Sequence, residues 1–383
     1  MQGVRHHYFS VTGNQYNARG VRNRAVRGCQ GYTVSMNLRR LVLVGAALLT
    51  TLRFARRWRR HYDLRGNVVV ITGGGRGLGL ELARQAARRG AKIGLLSRSE
   101  IELTAACAEL RSAGATADFA VADVRDVAAV RRAVDRLSAQ LGTIDVLINC
   151  AGIISVGPVD ALLLPDYEAA IDTNYLGAVR AVEAVRSGMQ ARKRGRIVNI
   201  SSIGGKVVVP HLLPYCASKF ALAAYSEGLR AELARDGIVV TTVIPGLMRT
   251  GSPPHATFAG QSRREYELFV LSDALPFTSV SAEFAARAIL DGLQRGDIET
   301  VVSWQAKAAA AAFGFAPRSV IRLLTLLARV LLSAAGSTEH RTGVSSETAL
   351  TQSPLAALSR NATVTHNEAI DPGDRDASGR VSP

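Results

Sequence analysis

Tyr215 and Lys219 close the run Tyr215-Cys216-Ala217-Ser218-Lys219. On a helix they stand one turn apart and share a face. A phenol titrates near about 10, too high for a base at neutral pH, and a nearby ammonium would stabilise its phenolate. Tyr215 is therefore a candidate general acid/base. Ser202, just past the apolar run Arg196–Ile200, can donate to an oxygen on which negative charge develops. Far upstream, Thr72-Gly73-Gly74-Gly75-Arg76-Gly77-Leu78-Gly79 follows an apolar run and leads into a helical pattern. Glycines there allow close backbone approach, and the free N–H groups of a helix start suit a pyrophosphate. Proton exchange beside a dinucleotide points to hydride transfer between a carbonyl and an alcohol, where an oxidised nicotinamide would add its positive charge to that of Lys219.

The elements that must position these residues are legible from Asn67 onward. Strand-like runs stand at Val68–Ile71, Lys92–Leu96, Ala117–Val121, Ile144–Ile148, Arg196–Ile200, Ile238–Ile244 and Ile298–Val302. Helix-period stretches such as Gly77–Arg89, Ile101–Ala113, Val127–Gln140 and Leu222–Arg235 lie between them. Short Val/Ile/Leu strands alternating with helices predict an α/β fold, a doubly wound parallel seven-stranded sheet of Rossmann type. A dinucleotide site usually carries an acid at the end of the second strand to hold ribose hydroxyls. Here that place reads Leu96-Ser97-Arg98. Arg98 with Arg76 would clamp a 2′-phosphate, so NADP(H) is expected over NAD(H). Asp123 and Val124, past the third strand, are placed to flank the adenine.

The sequence resembles the short-chain dehydrogenase/reductases over about Leu64 to Val302. The family's TGxxxGxG motif matches Thr72–Gly79, and its NNAG motif appears as Asn149-Cys150-Ala151-Gly152, with Cys in the second position. The resemblance implies a catalytic set of Asn174, Ser202, Tyr215 and Lys219. In it Asn174 holds a water next to Lys219, Ser202 polarises the carbonyl, Tyr215 exchanges the proton, and Lys219 also binds the nicotinamide ribose. It further implies that Pro245, Gly246 and Thr250 shape the nicotinamide pocket, and that the protein assembles as a dimer or tetramer. The cofactor set expected from motif and resemblance together is Thr72, Gly73, Gly75, Arg76, Gly77, Leu78, Gly79, Ser97, Arg98, Asp123, Val124, Asn149, Ala151, Gly152, Tyr215, Lys219, Pro245, Gly246 and Thr250.

Charge separates the chain into parts. The net charge is +16, and residues 1–62 supply +12 of it through 12 Arg without one Asp or Glu. The remainder is nearly balanced, so the basic surface that nucleic-acid binding needs is not expected on the folded domain. Four cysteines fit neither a zinc site nor a CxxC pair; no metal and no disulfide framework are expected, which favours a reducing compartment.

The domain plan expected is a basic arm over 1–62, a catalytic domain over 63–305, an apolar helical extension over 306–335 and a disordered tail over 336–383. Within the arm, Met36 is a candidate start, and the uncharged run 41–52 is too short to span a bilayer comfortably. Flanked by arginines, it reads as a shallow anchor, or as a helix packed on the domain. Arg318, Arg322, Thr325 and Arg329 form a narrow polar stripe on an otherwise apolar helix, suited to a membrane interface or to a partner subunit. Together with the apolar segment Leu247–Val280, which includes Phe258, Tyr266, Phe269 and Phe277, these features suggest a hydrophobic lipid-, retinoid- or steroid-like substrate. The expected location is the cytoplasmic face of a membrane. Two other readings stay open: a soluble 3-oxoacyl-thioester reductase, and an NADP(H)-binding regulator without catalysis.

Overall fold

The computed structural model describes residues 61–274, 277–331, 337–348, 351 and 357–368. The basic arm with its run 41–52, Met36, Cys29 and Leu275 lie outside the described residues. Twelve strands are named in chain order: β1 (Val68–Thr72), β2 (Lys92–Ser97), β3 (Ala117–Val121), β4 (Ile144–Asn149), β5 (Ser155–Val156), β6 (Gly195–Ile200), β7 (Ile238–Ile244), β8 (Leu247–Arg249), β9 (Thr257–Gly260), β10 (Ser279–Ser281), β11 (Glu299–Val301) and β12 (Ser337–Thr342). Seven of them form one sheet in the order β11-β7-β6-β4-β1-β2-β3. Every pairing in it is parallel. The expected doubly wound α/β sheet is thus the observed one, with strand bounds within one residue of those read from the apolar runs.

The helices are α1 (Gly77–Arg88), α2 (Glu100–Ser112), α3 (Val127–Leu141), α4 (Leu164–Ile171), α5 (Gly177–Ala191), α6 (Leu213–Leu233), α7 (Ser262–Ala274), α8 (Ala282–Arg295), α9 (Trp304–Phe315), α10 (Pro317–Leu331) and α11 (Ala357–Thr365). Two cores cover the two faces of the sheet. One packs α1, α2 and α8 on Val69, Ile71, Ile93 and Leu95. The other packs α3 and α5 on Val68, Val70, Leu147 and Ile197. Successive side chains of β1 enter opposite cores, which is why its whole run is apolar. A short π-helical turn, Asp172–Leu176, joins α4 to α5. Helix α6 begins at Leu213, nine residues before the start expected from its apolar period, and so carries Tyr215 and Lys219 on its first two turns.

Two expectations are corrected. The tail from Gly336 is not structureless throughout: β12 pairs antiparallel with β9, β9 pairs with β5, and α11 packs beyond them. The strand Ser337–Thr342 is polar, so no hydrophobic period announces it; its stability comes from backbone hydrogen bonds to an otherwise open edge. The apolar residues of 247–280 mostly build their own small core. Phe258 is fully buried with Tyr266, Val270 and Val156, and its ring meets Tyr266 and Phe269 edge-on at 5.3 and 5.9 Å. Leu268 and Phe277 are the large exceptions, both exposed.

Among the described residues no single helix is long and apolar enough to cross a membrane. Helices α9 and α10 form a pair bent by 118°. Ile321, Leu323, Leu326 and Leu327 of α10 are all exposed.

Candidate active site

The carboxyl ends of β1, β4, β6 and β7 lie side by side along one edge of the sheet. Thr72, the last residue of β1, accepts hydrogen bonds through Oγ1 from the Cys150 and Ala151 amides at 3.1 and 3.2 Å, locking the ends of β1 and β4 together. Gly73 has φ +67, and a Cβ there would lie 2.9 Å from Ala151 Cα; only glycine fits the close approach. Gly79 faces the Gly73 carbonyl so closely that a side chain is excluded. The loop therefore folds tightly over the start of α1, whose N-cap Arg76 supplies no side-chain cap. Leu78 packs into the core.

The four expected catalytic residues lie together. Asn174, in the π-helical turn, is almost fully buried; its Oδ1 accepts from the Ile153 amide at 2.7 Å, and its Nδ2 donates to the Ile153 carbonyl and Ser218 Oγ. Single π-turns are rare and occur frequently at functional sites. A Cβ placed on exposed Gly152 would be 3.1 Å from Asn174 Oδ1 and 3.5 Å from Lys219 Nζ. Lys219 Nζ donates to the Ile200 carbonyl at 2.9 Å and sits 5.7 Å from the Tyr215 ring centre. Ser202 Oγ accepts from the Gly204 amide at 3.0 Å and is hydrogen-bonded to the Tyr215 phenol.

Electrostatics here differ from the simple expectation. Burial pushes the Tyr215 phenol up to about 12, against the hydrogen bond from Ser202, which favours the phenolate. Burial also pulls the Lys219 ammonium down to about 8. The ammonium is turned to the Ile200 carbonyl, so the group lowering the phenol in this geometry is Ser202 rather than Lys219. Cys150 is likewise pushed up to about 12 by burial, which makes it a poor nucleophile.

The remaining expected cofactor residues divide by position. Ser97 closes β2 with a buried Oγ that has no hydrogen-bond partner, 3.3 Å from where a Gly75 Cβ would stand. Arg98 beside it is exposed. Such an orphaned hydroxyl at the loop, next to a guanidinium, fits a nucleotide ribose or phosphate. Asp123 is held by Arg125, whose hydrogen bonds outweigh burial and keep the carboxyl below its ordinary range. Val124 packs against Gly177. Pro245 and Gly246 follow β7, the Pro245 carbonyl accepting from Ile203 at 2.7 Å, and Thr250 is buried beyond β8. Asn149 points into the sheet instead, its amide donating to Asn199, which continues to Ser226 and Thr242.

Three groups at the loop escaped the sequence reading. Glu102 is the acid beside Gly75; it lies 3.6 Å from Arg76, and burial raises its pKa against the pull of that arginine. The signal was present, since Ser99 caps α2 by accepting from the Glu102 amide in an S-x-x-E pattern. His255 and the segment His366–Glu368 reach the same place from far along the chain.

Comparisons with known proteins agree with this fold. The profile of the short chain dehydrogenase family matches residues 67–256. A putative ketoacyl reductase of Streptomyces coelicolor is 38% identical over 185 residues, covering 48% of this chain and 71% of its own length. The putative oxidoreductase SadH of Mycobacterium tuberculosis is 36% identical over 250 residues, covering 63% of this chain and 88% of its own. The solved structure of a gluconate 5-dehydrogenase from Burkholderia cenocepacia, in complex with NADP and tartrate, superposes with a TM-score of 0.57 at 31% identity, covering 65% of this chain and 98% of that one. With its sheet order, glycine loop and clustered Asn, Ser, Tyr and Lys, the chain belongs to the short-chain dehydrogenase/reductase family and is an oxidoreductase of that family.

Proposed function

We propose that the protein transfers hydride between NADP(H) and a carbonyl or alcohol carbon of an apolar substrate, working at the cytoplasmic face of a membrane as a dimer or tetramer. Residues 63–305 form the catalytic unit in this reading, with 306–335 as a surface extension. The observation that carries it is the line of contacts that joins the four residues: Asn174 and Lys219 lie against the exposed Gly152, Tyr215 lies beside Lys219, and Ser202 beside Tyr215. Thr72 to Gly79, Ser97, Arg98, Asp123, Val124, Ala151, Gly152, Pro245, Gly246 and Thr250 line the nucleotide's path, while Asn149 supports the strands beneath. Ser97 Oγ and the Arg76 and Arg98 guanidiniums favour a 2′-phosphate; Glu102 beside Arg76 opposes it, so the preference for NADP(H) over NAD(H) rests on two cations against one acid. The NADP held by the Burkholderia relative supports the same choice.

The bound nicotinamide supplies or accepts the hydride. Tyr215 then gives its phenolic proton to the substrate oxygen in reduction and takes it back in oxidation. Ser202 donates to the same oxygen as charge develops on it. Lys219 holds positive charge beside Tyr215, and Asn174 fixes the Ile153 backbone next to it and holds a water through which the proton is replaced.

The apolar substrate is supported by the exposed Leu268 and Phe277 of the segment 247–280 and by the exposed leucines of α10. A soluble 3-oxoacyl-thioester reductase is the second reading, favoured by the Streptomyces relative. Consumption of NADPH and NADH against ketones of increasing apolar size, and against a 3-oxoacyl thioester, separates the two. Long apolar ketones should be preferred, with Tyr215→Phe lowering kcat by about 10²–10⁴-fold and Arg98→Asp erasing the NADPH preference. Full activity in Tyr215→Phe would sink the mechanism. Preference for the thioester would replace the substrate class, and binding of NADPH with no turnover of any of these would leave a regulator.

A further inference from the structure

The glycine loop is covered by the chain's own C-terminal segment. Strand β12 runs along β9, and α11 then brings Ala362 and Thr363 against Gly251. His366, buried, is moored by Arg84 at 3.4 Å and Glu283 at 3.5 Å. Its carbonyl accepts from the Gly77 amide at 2.8 Å, the first N–H of α1. Asn367 takes the left-handed region at φ 56, which Asn tolerates better than most residues, and donates through Nδ2 to the Gly75 carbonyl at 2.9 Å. Gly75 and Gly77 are consequently buried.

Glu368 completes the contact. Its carboxylate lies against Gly77, where a Cβ would collide with Oε1, and its Oε2 is 3.5 Å from Arg76 Nη1. His255 Nε2 is 3.0 Å from both Oε2 and the Glu368 carbonyl. The carboxylate is 95% buried by its side chain, yet Oε2 makes no hydrogen bond. An anion thus sits at a helix N-terminus, beside an arginine, in the place that the glycine loop shapes for a pyrophosphate. A dinucleotide phosphate cannot share that place. Two anions about 4 Å apart repel by about 4 kcal/mol even at an effective dielectric constant of 20, and Arg76 is already shared with Glu102.

We propose that His366–Glu368 is an intramolecular gate: the Glu368 carboxylate stands in for the cofactor phosphate in the closed form, and the segment must swing out for a dinucleotide to bind. The inference rests on the reading of Thr72–Gly79 as the cofactor cradle. Three features suit a contact that opens. Oε2 has ion-pair neighbours but no aligned hydrogen bond, which leaves the closed form imperfectly satisfied. The moorings are a few polar contacts of one segment, and the sheet and the catalytic residues do not depend on them. Opening also exposes the Gly77 amide and Arg76 together, the two groups a phosphate needs.

The test compares the full chain with Glu368→Ala, Glu368→Gln and a chain ending at Thr365, by fluorescence titration and stopped-flow binding of NADPH and NADH. A segment that closes the cradle nine-tenths of the time or more raises the apparent Kd by about 10-fold or more. Glu368→Ala and the shortened chain should therefore bind at least about 10-fold tighter, and faster, with Glu368→Gln between. Binding should also make the bond after Arg360 more open to trypsin in the full chain. Equal Kd and rates in all forms would overturn the gate while leaving the cradle intact. Weaker binding by the shortened chain would overturn it too, making the segment a clasp over bound cofactor. If no form binds either dinucleotide, the cradle reading itself fails, and the gate with it.

Discussion

At the residue scale, Lys219 is the group whose protonation should set the pH behaviour of the site. Its pKa is pulled down by burial to about 8, while the Tyr215 phenol stays protonated to about 12. Carbonyl reduction needs both the phenolic proton and the ammonium, so its kcat should hold below about pH 8 and fall as pH rises through that value. Alcohol oxidation needs the phenolate and should rise with pH toward the phenol's value of about 12. Lys219→Met should lower kcat and remove the break near pH 8 in reduction. Stability carries the opposite sign. Between about pH 8 and the unfolded lysine's 10.5, the unfolded chain binds the extra proton, so Lys219 costs the fold less as pH rises. Lys219→Met should therefore raise the melting temperature at pH 7, and that advantage should shrink by pH 11. An unchanged reduction profile in Lys219→Met would remove Lys219 from the mechanism. The identity of these residues was legible because Tyr-x-x-x-Lys and the glycine loop are local patterns. Their electrostatics were not, because the direction of the Lys219 ammonium depends on the Ile200 carbonyl, a contact between helix α6 and the end of β6.

Elements were legible in proportion to their apolar periodicity. The strands of the main sheet and helices α1 to α3 carry it and stand where it put them. Helix α6 starts before its apolar period because its first turns, with Pro214, Tyr215 and Ser218, mix polar with apolar residues. The π-helical turn at Asp172–Leu176 has no sequence signature, and β12 is a polar strand held by its backbone. The segment 247–280 is legible as apolar, but its packing is not, since composition cannot tell a lining residue from a packed one. Phe258 makes the point testable. Fully buried between Tyr266 and Phe269, it should cost about 3–5 kcal/mol when cut to Ala. Urea unfolding should report that loss, and hydrogen exchange should rise first over 257–270. Because β9 joins β5 on one side and β12 on the other, loosening it should also free the C-terminal segment and tighten NADPH binding. A stability within 1 kcal/mol of the parent would mean that this small core adds little to the fold.

At the scale of the whole molecule the question is where +16 charges act. Twelve of them belong to residues 1–62, and another concentration is the row Arg318, Arg322 and Arg329 on α10. Around that row, Ile321, Leu323, Leu326 and Leu327 are exposed on one short helix, a surface larger than scattered single exposures would give. Basic residues bordering apolar ones are the arrangement that binds an anionic lipid interface, where each Lys or Arg near the surface is worth about 1 kcal/mol. The full chain should float with vesicles containing about 30% phosphatidylserine and stay behind with pure phosphatidylcholine, with a Debye length of about 10 Å at 0.1 M salt letting the charges act. Raising the salt to about 0.5 M should weaken the binding only in part, because burial of the leucines is insensitive to screening. Leu323→Glu with Leu326→Glu should release what remains while leaving NADPH binding as it was. If that pair instead lowers the molecular mass in solution and leaves flotation intact, α10 joins subunits, and the membrane reading must rest on residues 1–62 alone.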